Sequence, residues 1–351
     1  MRIAFLSSTP ANPLEGSGTF TAIDGLLGGL RRLGHEPWLQ PLGFRTGFHT
    51  LDRWLYNAGV ALAPPRADVI AGIDLDGFLW ARRRRRPFVV CLKGVIADEL
   101  TNERGMVRAL LSVQARWERA NVHRADRVIV PSRYSASVAA AAYDLPRERI
   151  VVVPEPIDLD QWRHRFSTAR RPSSTRPRVL AVARMYARKR LEDLLEAAVL
   201  LRVRIPDVDV RIVGEGPESG RLRARHTELG LGGTVTFLGE VTMETLAVEY
   251  ASADCFCLPT VQEGFGLAFA EAMAAGLPIV SCRVAAVPEI VEDRRTGFLV
   301  NPRSPDELAM ALETLLINEG LRKDFGDEGR RRVEAFDAVR VAQRFVEALP
   351  A

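Results

Sequence analysis

The sequence predicts an α/β protein of two domains, each built on a parallel sheet. Along its 351 residues, apolar β-branched runs alternate with helical patterns, which is typical of successive β-α-β units. Residues 166–177 are polar and contain prolines, so they read as an interdomain linker. A chain of this length can bury two cores. We therefore expect domains at 1–165 and 178–335 and a C-terminal helix at 336–351.

The predicted strands are short apolar runs bounded by turn residues. In the first half they are residues 2–6, 69–71, 88–92, 127–130 and 150–153. In the second half they are residues 178–183, 208–213, 235–238, 254–258, 279–281 and 298–300.

Composition excludes several classes of protein. The net charge of +4 is too small to indicate a nucleic-acid-binding protein. Four cysteines and five histidines show no zinc-type spacing, and no metal cluster is predicted. No apolar run approaches the ~20 residues of a membrane span, and the N-terminus lacks a signal-peptide layout. We expect a cytoplasmic protein with reduced thiols.

The most informative segment follows the apolar run 255–258. Its loop contains Glu263, Gly264 and Gly266, and the helix after it contains Glu271. A strand, a glycine-rich turn and a helix N-terminus in that order form an anion site, because free backbone N–H groups converge where the helix dipole is positive. The two carboxylates can accept hydrogen bonds from hydroxyls. The segment therefore predicts a site for a nucleotide sugar.

Two cations follow another predicted strand, at 178–183. Arg184 and Lys189 lie where open α/β sheets bind ligands. They could neutralise the charge that develops on a diphosphate as its bond to the sugar breaks. The alternative is a solvated basic turn, since Arg188 and Arg190 are charged too.

The first predicted turn contains Gly16, Ser17 and Gly18. We expect these residues to open a helix, and such a loop can cradle a phosphate. The alternative is that the small residues serve only to start the helix.

Several segments together resemble a known family. The spacing of Glu263 and Glu271 resembles the E-x7-E motif of retaining glycosyltransferases of family GT4. The segment 182–190 is similar to the family's G-R-L-x-x-x-K-G diphosphate segment, and 212–218 is similar to its V-G-x-G-P-E turn. The resemblance implies a GT-B fold, in which two Rossmann-like domains with parallel sheets face each other across a cleft. It also implies that the donor binds to the second domain, that the acceptor binds to the first, and that no metal is required.

The resemblance assigns roles residue by residue. It implies that Arg184, Lys189 and Glu263 are catalytic, and that Glu271 bonds the ribose hydroxyls of the donor. The other implied donor-binding residues are Gly264, Phe265, Gly266, Leu267, Gly16, Ser17, Gly18, Gly214, Gly239 and Val241.

Two departures from the family pattern bear on the substrate. Lys93 stands where many members have a histidine that reaches the donor sugar. It is either a tolerated substitution or a partner for a charged donor group, such as a uronic-acid carboxylate, or for the acceptor. Glu155 stands in a Pro-Glu-Pro segment, where a hinge role is favoured over contact with the cleft.

Two D-x-D sequences match the metal motif of a different transferase fold. They are Asp74-Leu75-Asp76 and Asp158-Leu159-Asp160. Further hard ligands are lacking nearby. We expect the first to be a loop after a strand and the second to start a helix.

The acceptor is the least defined part. The segment Arg82, Arg83, Arg84, Arg85 and Arg86 either contacts an anionic membrane surface or is a solvated helix end. The aromatic residues Phe44, Phe48, Trp54 and Tyr56 either line an acceptor groove or belong to the core. The acceptor could be a glycan, a lipid or a small-molecule natural product.

The predicted activity is transfer of a sugar from a nucleotide-sugar donor such as a UDP-sugar, in polysaccharide or secondary-metabolite biosynthesis. One alternative is a non-catalytic nucleotide-sugar-binding subunit. Another is a sugar-nucleotide epimerase or a phosphorylase on the same fold.

Overall fold

The computed structural model describes residues 1–9, 13–43, 45–84, 86–102, 105–170 and 176–350. Within these ranges the strands form two parallel sheets of six strands each. The strands of the first sheet are β1 (Arg2–Ser7), β2 (Glu36–Pro41), β3 (Val69–Ile73), β4 (Phe88–Cys91), β5 (Arg127–Val130) and β6 (Ile150–Val152). The strands of the second are β7 (Arg178–Val182), β8 (Asp209–Val213), β9 (Val235–Gly239), β10 (Cys255–Leu258), β11 (Ile279–Cys282) and β12 (Gly297–Val300).

Helices connect the strands, because parallel strands need crossover connections. In the first half they are α1 (Pro13–Arg32), α2 (His49–Leu62), α3 (Ile96–Glu99), α4 (Gly105–Arg124), α5 (Arg133–Tyr143) and α6 (Leu159–Thr168). In the second half they are α7 (Leu191–Arg204), α8 (Ser219–Glu228), α9 (Met243–Ser252), α10 (Leu267–Ala275), α11 (Val287–Ile290), α12 (Pro305–Ile317), α13 (Glu319–Val333) and α14 (Ala338–Glu347). Short 3-10 helices cover Trp80–Arg82, Leu100–Asn102, Arg147–Arg149, Ala187–Lys189 and Glu334–Phe336.

The first sheet has the strand order β2-β1-β3-β4-β5-β6, and its central strands β1, β3 and β4 are buried on both faces. Alternate residues along each strand point to opposite faces. On one face Ile3 and Phe5 pack with α1 and α14, and on the other Ala4 and Leu6 pack with α2, α4 and α5. Burial of both faces explains why these strands are continuous apolar runs rather than alternating ones.

The second sheet has the order β12-β11-β10-β7-β8-β9. Its chain starts at the central strand β7, moves outward through β8 and β9, and returns to β10 on the other side of β7. The strands β7 and β10 therefore lie side by side, and their connections run in opposite directions. Such a point of divergence opens a crevice at the carboxyl ends of the strands.

All the predicted strands are confirmed, with ends that differ by one or two residues. One strand, β2, was not predicted. Its sequence has prolines at 37 and 41 and only two other apolar residues, Trp38 and Leu39. The two prolines, which lack a backbone N–H, are tolerated because β2 is an edge strand and has no neighbouring strand on its outer side.

The chain divides into two compact units. The first unit comprises residues 1–156 and 337–351, and the second comprises residues 157–336. This division falls before the predicted linker at 166–177, because α6 packs with the second unit: the Trp162 ring meets that of Tyr250 edge-on, with centroids 5.6 Å apart. The last helix, α14, belongs to the first unit, where Phe345 packs on Phe5 with ring centroids 5.6 Å apart.

Within the described ranges, no helix is both long enough and apolar enough to cross a bilayer.

Candidate functional site

The candidate site lies in the second unit, at the carboxyl ends of β7 and β10. The loop after β7 carries Arg184 and Lys189, and the loop after β10 carries Glu263. Two hydrogen bonds join the loops: the Val261 N–H donates to the Arg188 carbonyl (2.9 Å), and the Thr260 hydroxyl donates to the same oxygen (3.2 Å). The point of divergence in the sheet thus brings together residues more than seventy positions apart in the chain.

An ion pair connects the two loops through their side chains. The Lys189 ammonium donates a hydrogen bond to Glu263 Oε2, and each side chain is only 13% exposed. Partial burial strengthens the attraction, because less water screens the two charges. The pair fixes the positions of both groups before any ligand binds.

Arg184 has a different environment. Its guanidinium lies over the Tyr186 ring, 5.8 Å from the centroid, and Arg188 lies over the same ring at 4.8 Å. Among the residues that the structure describes, no carboxylate is paired with Arg184. Its positive charge is therefore available to an anion.

The loop after β8 closes against the Arg184 loop. The Met185 N–H donates to the Glu215 carbonyl (3.0 Å), and the Gly214 N–H donates to the carbonyl of Gly239, at the end of β9 (2.8 Å). Gly214 has φ +114°, and a Cβ there would lie 2.2 Å from the Ala183 carbonyl oxygen. Glycine is required at this position by both conformation and space. Half-buried Val241 follows β9 at the same edge.

The N-terminus of α10 faces this edge of the sheet. Its cap, Gly266, has φ +91°, and no side chain caps the helix. The Phe269 N–H donates to the Gly266 carbonyl (2.9 Å), so in the described chain it is the N–H groups of Leu267 and Ala268 that are left for an external acceptor. In the same loop Gly264 is half-buried, whereas the Phe265 side chain is buried against Phe336, with ring centroids 5.1 Å apart. Phe265 can contribute only its backbone to a ligand.

Glu271 is buried in α10, and within the described ranges it has one side-chain hydrogen-bond partner. The Tyr250 hydroxyl donates to Glu271 Oε2 at 2.8 Å. Burial raises the pKa of Glu271 to about 7, although the hydrogen bond from Tyr250 and the charge of Arg165 act to lower it. A buried carboxyl of this kind gains from a second hydroxyl donor.

The first unit presents a different set of groups at its own sheet edge. Asp76 accepts hydrogen bonds from the Ser8 N–H (2.6 Å), the Ser8 hydroxyl (2.8 Å) and the Asn57 side-chain amide (2.9 Å). Asn57 Oδ1 in turn accepts from the Gly77 N–H (2.6 Å). This buried network holds the loops after β1 and β3 together.

Lys93 also lies in the first unit and has an internal partner. Its ammonium donates to Glu155 Oε2 at 2.6 Å, and its backbone N–H donates to Asp74 Oδ1 at 2.7 Å. Burial would lower the pKa of Lys93, but the adjacent Glu155 carboxylate raises it above its ordinary value. A charged donor group would have to compete with Glu155, so contact between Lys93 and a uronate stays a hypothesis. Glu155 is an ion-pair partner, a role that the hinge interpretation missed.

The two D-x-D sequences have the structures expected of them. Asp74 and Asp76 follow β3, and Asp158 caps α6 by accepting from the Gln161 N–H (3.0 Å). Within the described ranges, no three His, Cys, Asp or Glu side chains are grouped closely enough to hold a metal ion. That the reaction needs no metal stays a prediction.

The first turn differs from its prediction. The helix α1 begins at Pro13, so Gly16, Ser17 and Gly18 lie within its first two turns rather than before it. Proline is favoured at the first helical position, because its missing N–H would have no partner there. Gly18 is exposed, and the side chain of Ser17 lies outside the described part of the chain.

The arginines of the segment 82–86, predicted on the acceptor side, have different environments in the structure. Arg82 and Arg83 are exposed, whereas Arg84 pairs with Asp126 at 2.6 Å and Arg86 donates to the Ala67 carbonyl at 2.5 Å. Arg85 lies outside the described residues. Membrane contact through this segment stays a prediction.

The predicted acceptor-groove aromatic residues also differ in their exposure to solvent. Phe48 and Trp54 are exposed, whereas Tyr56 is buried and donates its hydroxyl to the Gln40 carbonyl at 2.6 Å. Phe44 lies outside the described residues.

Tyr186, Tyr250 and Asn57 were not among the predicted site residues. Each acts through a contact with a group that is distant or not adjacent in sequence: Tyr250 with Glu271, and Asn57 with Asp76. Only Tyr186 carried a local signal, since it lies between two arginines in the diphosphate-like segment.

Family models match both halves of the chain. The model described as "Glycosyl transferases group 1" matches residues 161–332. The model described as "Glycosyltransferase Family 4" matches residues 27–161.

Curated relatives are similar over part of their length. A GDP-mannose-dependent alpha-(1-6)-phosphatidylinositol monomannoside mannosyltransferase of Mycobacterium tuberculosis is 32% identical over 222 residues, which cover 60% of this chain and 57% of the relative. A D-inositol 3-phosphate glycosyltransferase of Pseudarthrobacter chlorophenolicus is 33% identical over 213 residues, which cover 58% and 51%. The matched region thus spans little more than half the length of these relatives.

Solved structures match nearly the whole chain. A sucrose-phosphate synthase from Thermosynechococcus elongatus has a TM-score of 0.80 at 21% identity, covering 99% of this chain and 97% of that one. The Anabaena protein HepE, in complex with UDP and glucose, has a TM-score of 0.78 at 20% identity, covering 99% and 98%. These likenesses show that the chain has the two-domain α/β fold called GT-B.

Proposed function

We propose that this chain, which belongs to the glycosyl transferases group 1 of the GT4 type, transfers a sugar from a nucleotide-sugar donor to an acceptor hydroxyl. One observation carries the proposal. Beside the N-terminus of α10, which no side chain caps, the loops after β7 and β10 hold the ion-paired Lys189 and Glu263 and the cation Arg184, which has no carboxylate partner in the described chain. A diphosphate needs both cations and N–H donors.

Each group has a role in the proposed reaction. The bond between the sugar's anomeric carbon and the diphosphate oxygen breaks, and its electron pair stays on that oxygen. Arg184 and Lys189 stabilise the resulting negative charge, which is greater in the transition state than in the bound donor. Glu263, held by Lys189, accepts hydrogen bonds from the sugar hydroxyls.

We further propose that the anomeric configuration is retained, as the GT4 resemblance implies. The acceptor oxygen bonds to the anomeric carbon on the face that the diphosphate leaves, and the acceptor proton passes to the departing phosphate oxygen. In this scheme the two cations take the part that a metal ion plays in other transferases, and the reaction needs no metal.

The donor and acceptor are proposed as classes. The name of the mycobacterial relative specifies GDP-mannose, and the HepE structure contains UDP. We therefore propose a UDP- or GDP-sugar as the donor, with Glu271 bonding its ribose. The acceptor is a glycan, a lipid or a small natural product, and the inositol-containing acceptors in the relatives' names are the first to test. We place the reaction in the cytoplasm or at the inner face of its membrane.

The decisive experiment is ligand-induced thermal stabilisation with UDP-, GDP-, dTDP- and ADP-sugars, in buffer containing EDTA. A donor at 100 times its dissociation constant should stabilise the chain by about 2.7 kcal/mol. Arg184→Ala and Lys189→Ala should each reduce the shift, because each removes one of the two cations from the diphosphate. Arg2→Ala is the matched control, because Arg2 also lies over an aromatic ring, that of Trp38 at 5.6 Å, but in the first unit.

The same panel can contradict the proposal. Absence of a shift with every donor, or an equal shift in Arg184→Ala and wild type, would show that the β7/β10 edge is not the donor site. When a donor is found, the configuration of the product, read by NMR, tests retention. Loss of turnover in EDTA that Mg²⁺ or Mn²⁺ restores would contradict metal independence.

A further inference from the structure

Two helices of the first unit expose large apolar side chains to solvent. Phe48 precedes α2 and is 75% exposed, Leu62 ends α2 and is 88% exposed, and Met106 begins α4 and is 75% exposed. We call these residues and their exposed apolar neighbours on the two helices the α2/α4 surface. Its members are Phe48, Leu51, Trp54, Leu55, Leu62, Met106, Val107, Leu110 and Val113.

The helices α2 and α4 are neighbours. The Arg53 guanidinium of α2 donates to Gln114 Oε1 of α4 at 3.0 Å, and the Gln114 amide donates to the Thr50 hydroxyl of α2 at 2.9 Å. Both helices also contribute to one core cluster on the same face of the first sheet, through Tyr56 and Val122. Their outward apolar side chains therefore belong to one side of the unit.

On α4, the apolar residues that face solvent follow helical spacing, as those that face the core do. Met106, Leu110 and Val113 are separated by four and three positions, so they lie along one stripe of α4. The residues from Gly105 to Leu110 are all exposed, so the first turns of α4 project from the packed body of the unit. Exposed apolar stripes of this size mark interaction surfaces.

The exposed charge on the two helices has one sign. Their carboxylates are Asp52 and Glu118, and both are buried. Asp52 accepts from the Thr46 N–H at 2.7 Å, and Glu118 accepts from the Ile96 N–H at 3.0 Å. The solvated charges are arginines: Arg108, Arg116 and Arg119 are exposed on α4, and Arg53 is half-buried on α2.

We propose that the α2/α4 surface docks on an anionic lipid bilayer. Apolar side chains of an interfacial helix enter the boundary between headgroups and acyl chains, while arginines at their flanks attract lipid phosphates. A second copy of this chain fits the surface less well, because arginines would then face arginines with no exposed acid on either helix. The proposal is independent of the proposed transferase activity.

The test is co-sedimentation of the full chain with vesicles of phosphatidylcholine alone or of phosphatidylcholine and phosphatidylglycerol in equal parts. Wild type should bind the mixed vesicles and not the neutral ones. The double variant Met106→Glu with Leu110→Glu should weaken binding about tenfold or more, since it removes two apolar contacts and repels the anionic surface. The matched control is Met310→Glu with Ile317→Glu, which changes an exposed methionine and an exposed aliphatic residue on α12 of the second unit.

Trp54 provides a readout inside the surface. Its emission should shift to the blue when anionic vesicles are added, and Trp54→Phe should remove that shift while most of the binding remains. Thermal melting of each variant checks the fold, which should be unaffected because the changed side chains are exposed.

Three results would overturn the proposal. The first is no binding to the mixed vesicles, or equal binding by the α4 and α12 variants. The second is loss of binding in Arg82→Ser with Arg83→Ser but not in the α4 variant, which would assign the contact to the arginine segment. The third is a concentration-dependent dimer, seen by light scattering, that only the α4 variant disrupts.

Discussion

The two sheets differ in where their connections diverge and in what they hold there. In the first unit the divergence lies between β1 and β3, and in the second between β7 and β10. At the first, Asp76 is buried and bonded by Ser8 and Asn57. At the second, Arg184 is half-buried and has no carboxylate partner in the described chain.

We interpret this difference as separating a crevice that its own hydrogen bonds hold together from the crevice proposed to bind the donor. Polar groups that are satisfied internally hold loops together and have little to offer a ligand. A cation or a helix N-terminus without an internal partner gains most when an anion arrives. In this interpretation, equivalent topology gives each unit a crevice, and the polar groups that lack an internal partner decide which crevice can bind a ligand.

The largest effect is expected at the second crevice. Arg184→Ala should lower kcat by about 10²–10³-fold, because one donor to the developing charge is lost. The melting temperature should hardly change, since Arg184 has no carboxylate partner among the residues that the structure describes. Steady-state kinetics with the donor found in the binding panel measure this, with Arg2→Ala as control. If Arg184→Ala has a lowered melting temperature but a normal kcat, Arg184 stabilises the fold and does not act in the reaction.

The opposite result is expected at the first crevice. Asn57→Ala should lower the free energy of unfolding by about 2–4 kcal/mol, because it leaves Asp76 and the Gly77 N–H short of partners in a buried site. Donor-induced stabilisation should persist. The matched control is Asn301→Ala, since Asn301 donates to Glu307 at 2.8 Å on the surface, and its removal should cost about 0.5 kcal/mol or less. If denaturant titrations show equal losses of unfolding free energy in the two variants, the buried network contributes no more to stability than a surface hydrogen bond.

A pH-dependent effect sharpens the comparison. With the pKa of Glu271 raised to about 7, most of the carboxyl is protonated at pH 6 and ionised at pH 8. A ribose hydroxyl donates best to the ionised form, so the donor dissociation constant should fall up to about tenfold over this interval. Isothermal titration with an intact nucleotide sugar measures it, and Glu271→Gln should give a flat profile. A wild-type profile that is also flat would exclude Glu271 from donor binding.

The same group affects stability without ligand. The unfolded carboxyl has a pKa of about 4.3, below its value in the fold. The folded state therefore binds the extra proton between these two values, and the contribution of Glu271 to stability falls as pH rises through this interval and is constant above about pH 7.

The smallest effect is expected at Tyr186. Tyr186→Ala should lower kcat about two- to fivefold, since a half-exposed cation–π contact contributes about 0.5–1 kcal/mol to the position of Arg184. Tyr186→Phe keeps the ring and should remain within about twofold of wild type. If the two substitutions have equal effects on kcat, the hydroxyl rather than the ring is what matters. An effect on KM alone would point to donor binding rather than to the placement of Arg184.

Much of the fold was predictable because its central strands are buried on both faces. Central strands such as β3, β4, β10 and β11 are nearly uninterrupted apolar runs, and the ends of all strands from β3 to β12 were located to within one or two residues. The edge strand β2 was missed because partial exposure permits prolines and polar residues. The start of α1 was misplaced because Pro13 suits a helix start as well as the later glycines do.

The candidate site was predictable where its chemistry is local. Glu263, Gly266 and Glu271 follow one strand and start one helix, so their spacing alone indicated an anion-binding turn. Arg184 and Lys189 likewise follow a single strand. The partners of these groups were not predictable: nothing local links Lys189 to Glu263, Lys93 to Glu155, or Tyr250 to Glu271.

The amino-acid sequence by itself determined the β-α order, all the strands except β2, and the residue types at the candidate site, because these depend on short-range periodicity and turn chemistry. The tertiary structure decided which charges are neutralised and which remain available. That decision depends on contacts between segments brought together by sheet order, and on burial, which sets both the strength of each pair and the pKa of Glu271.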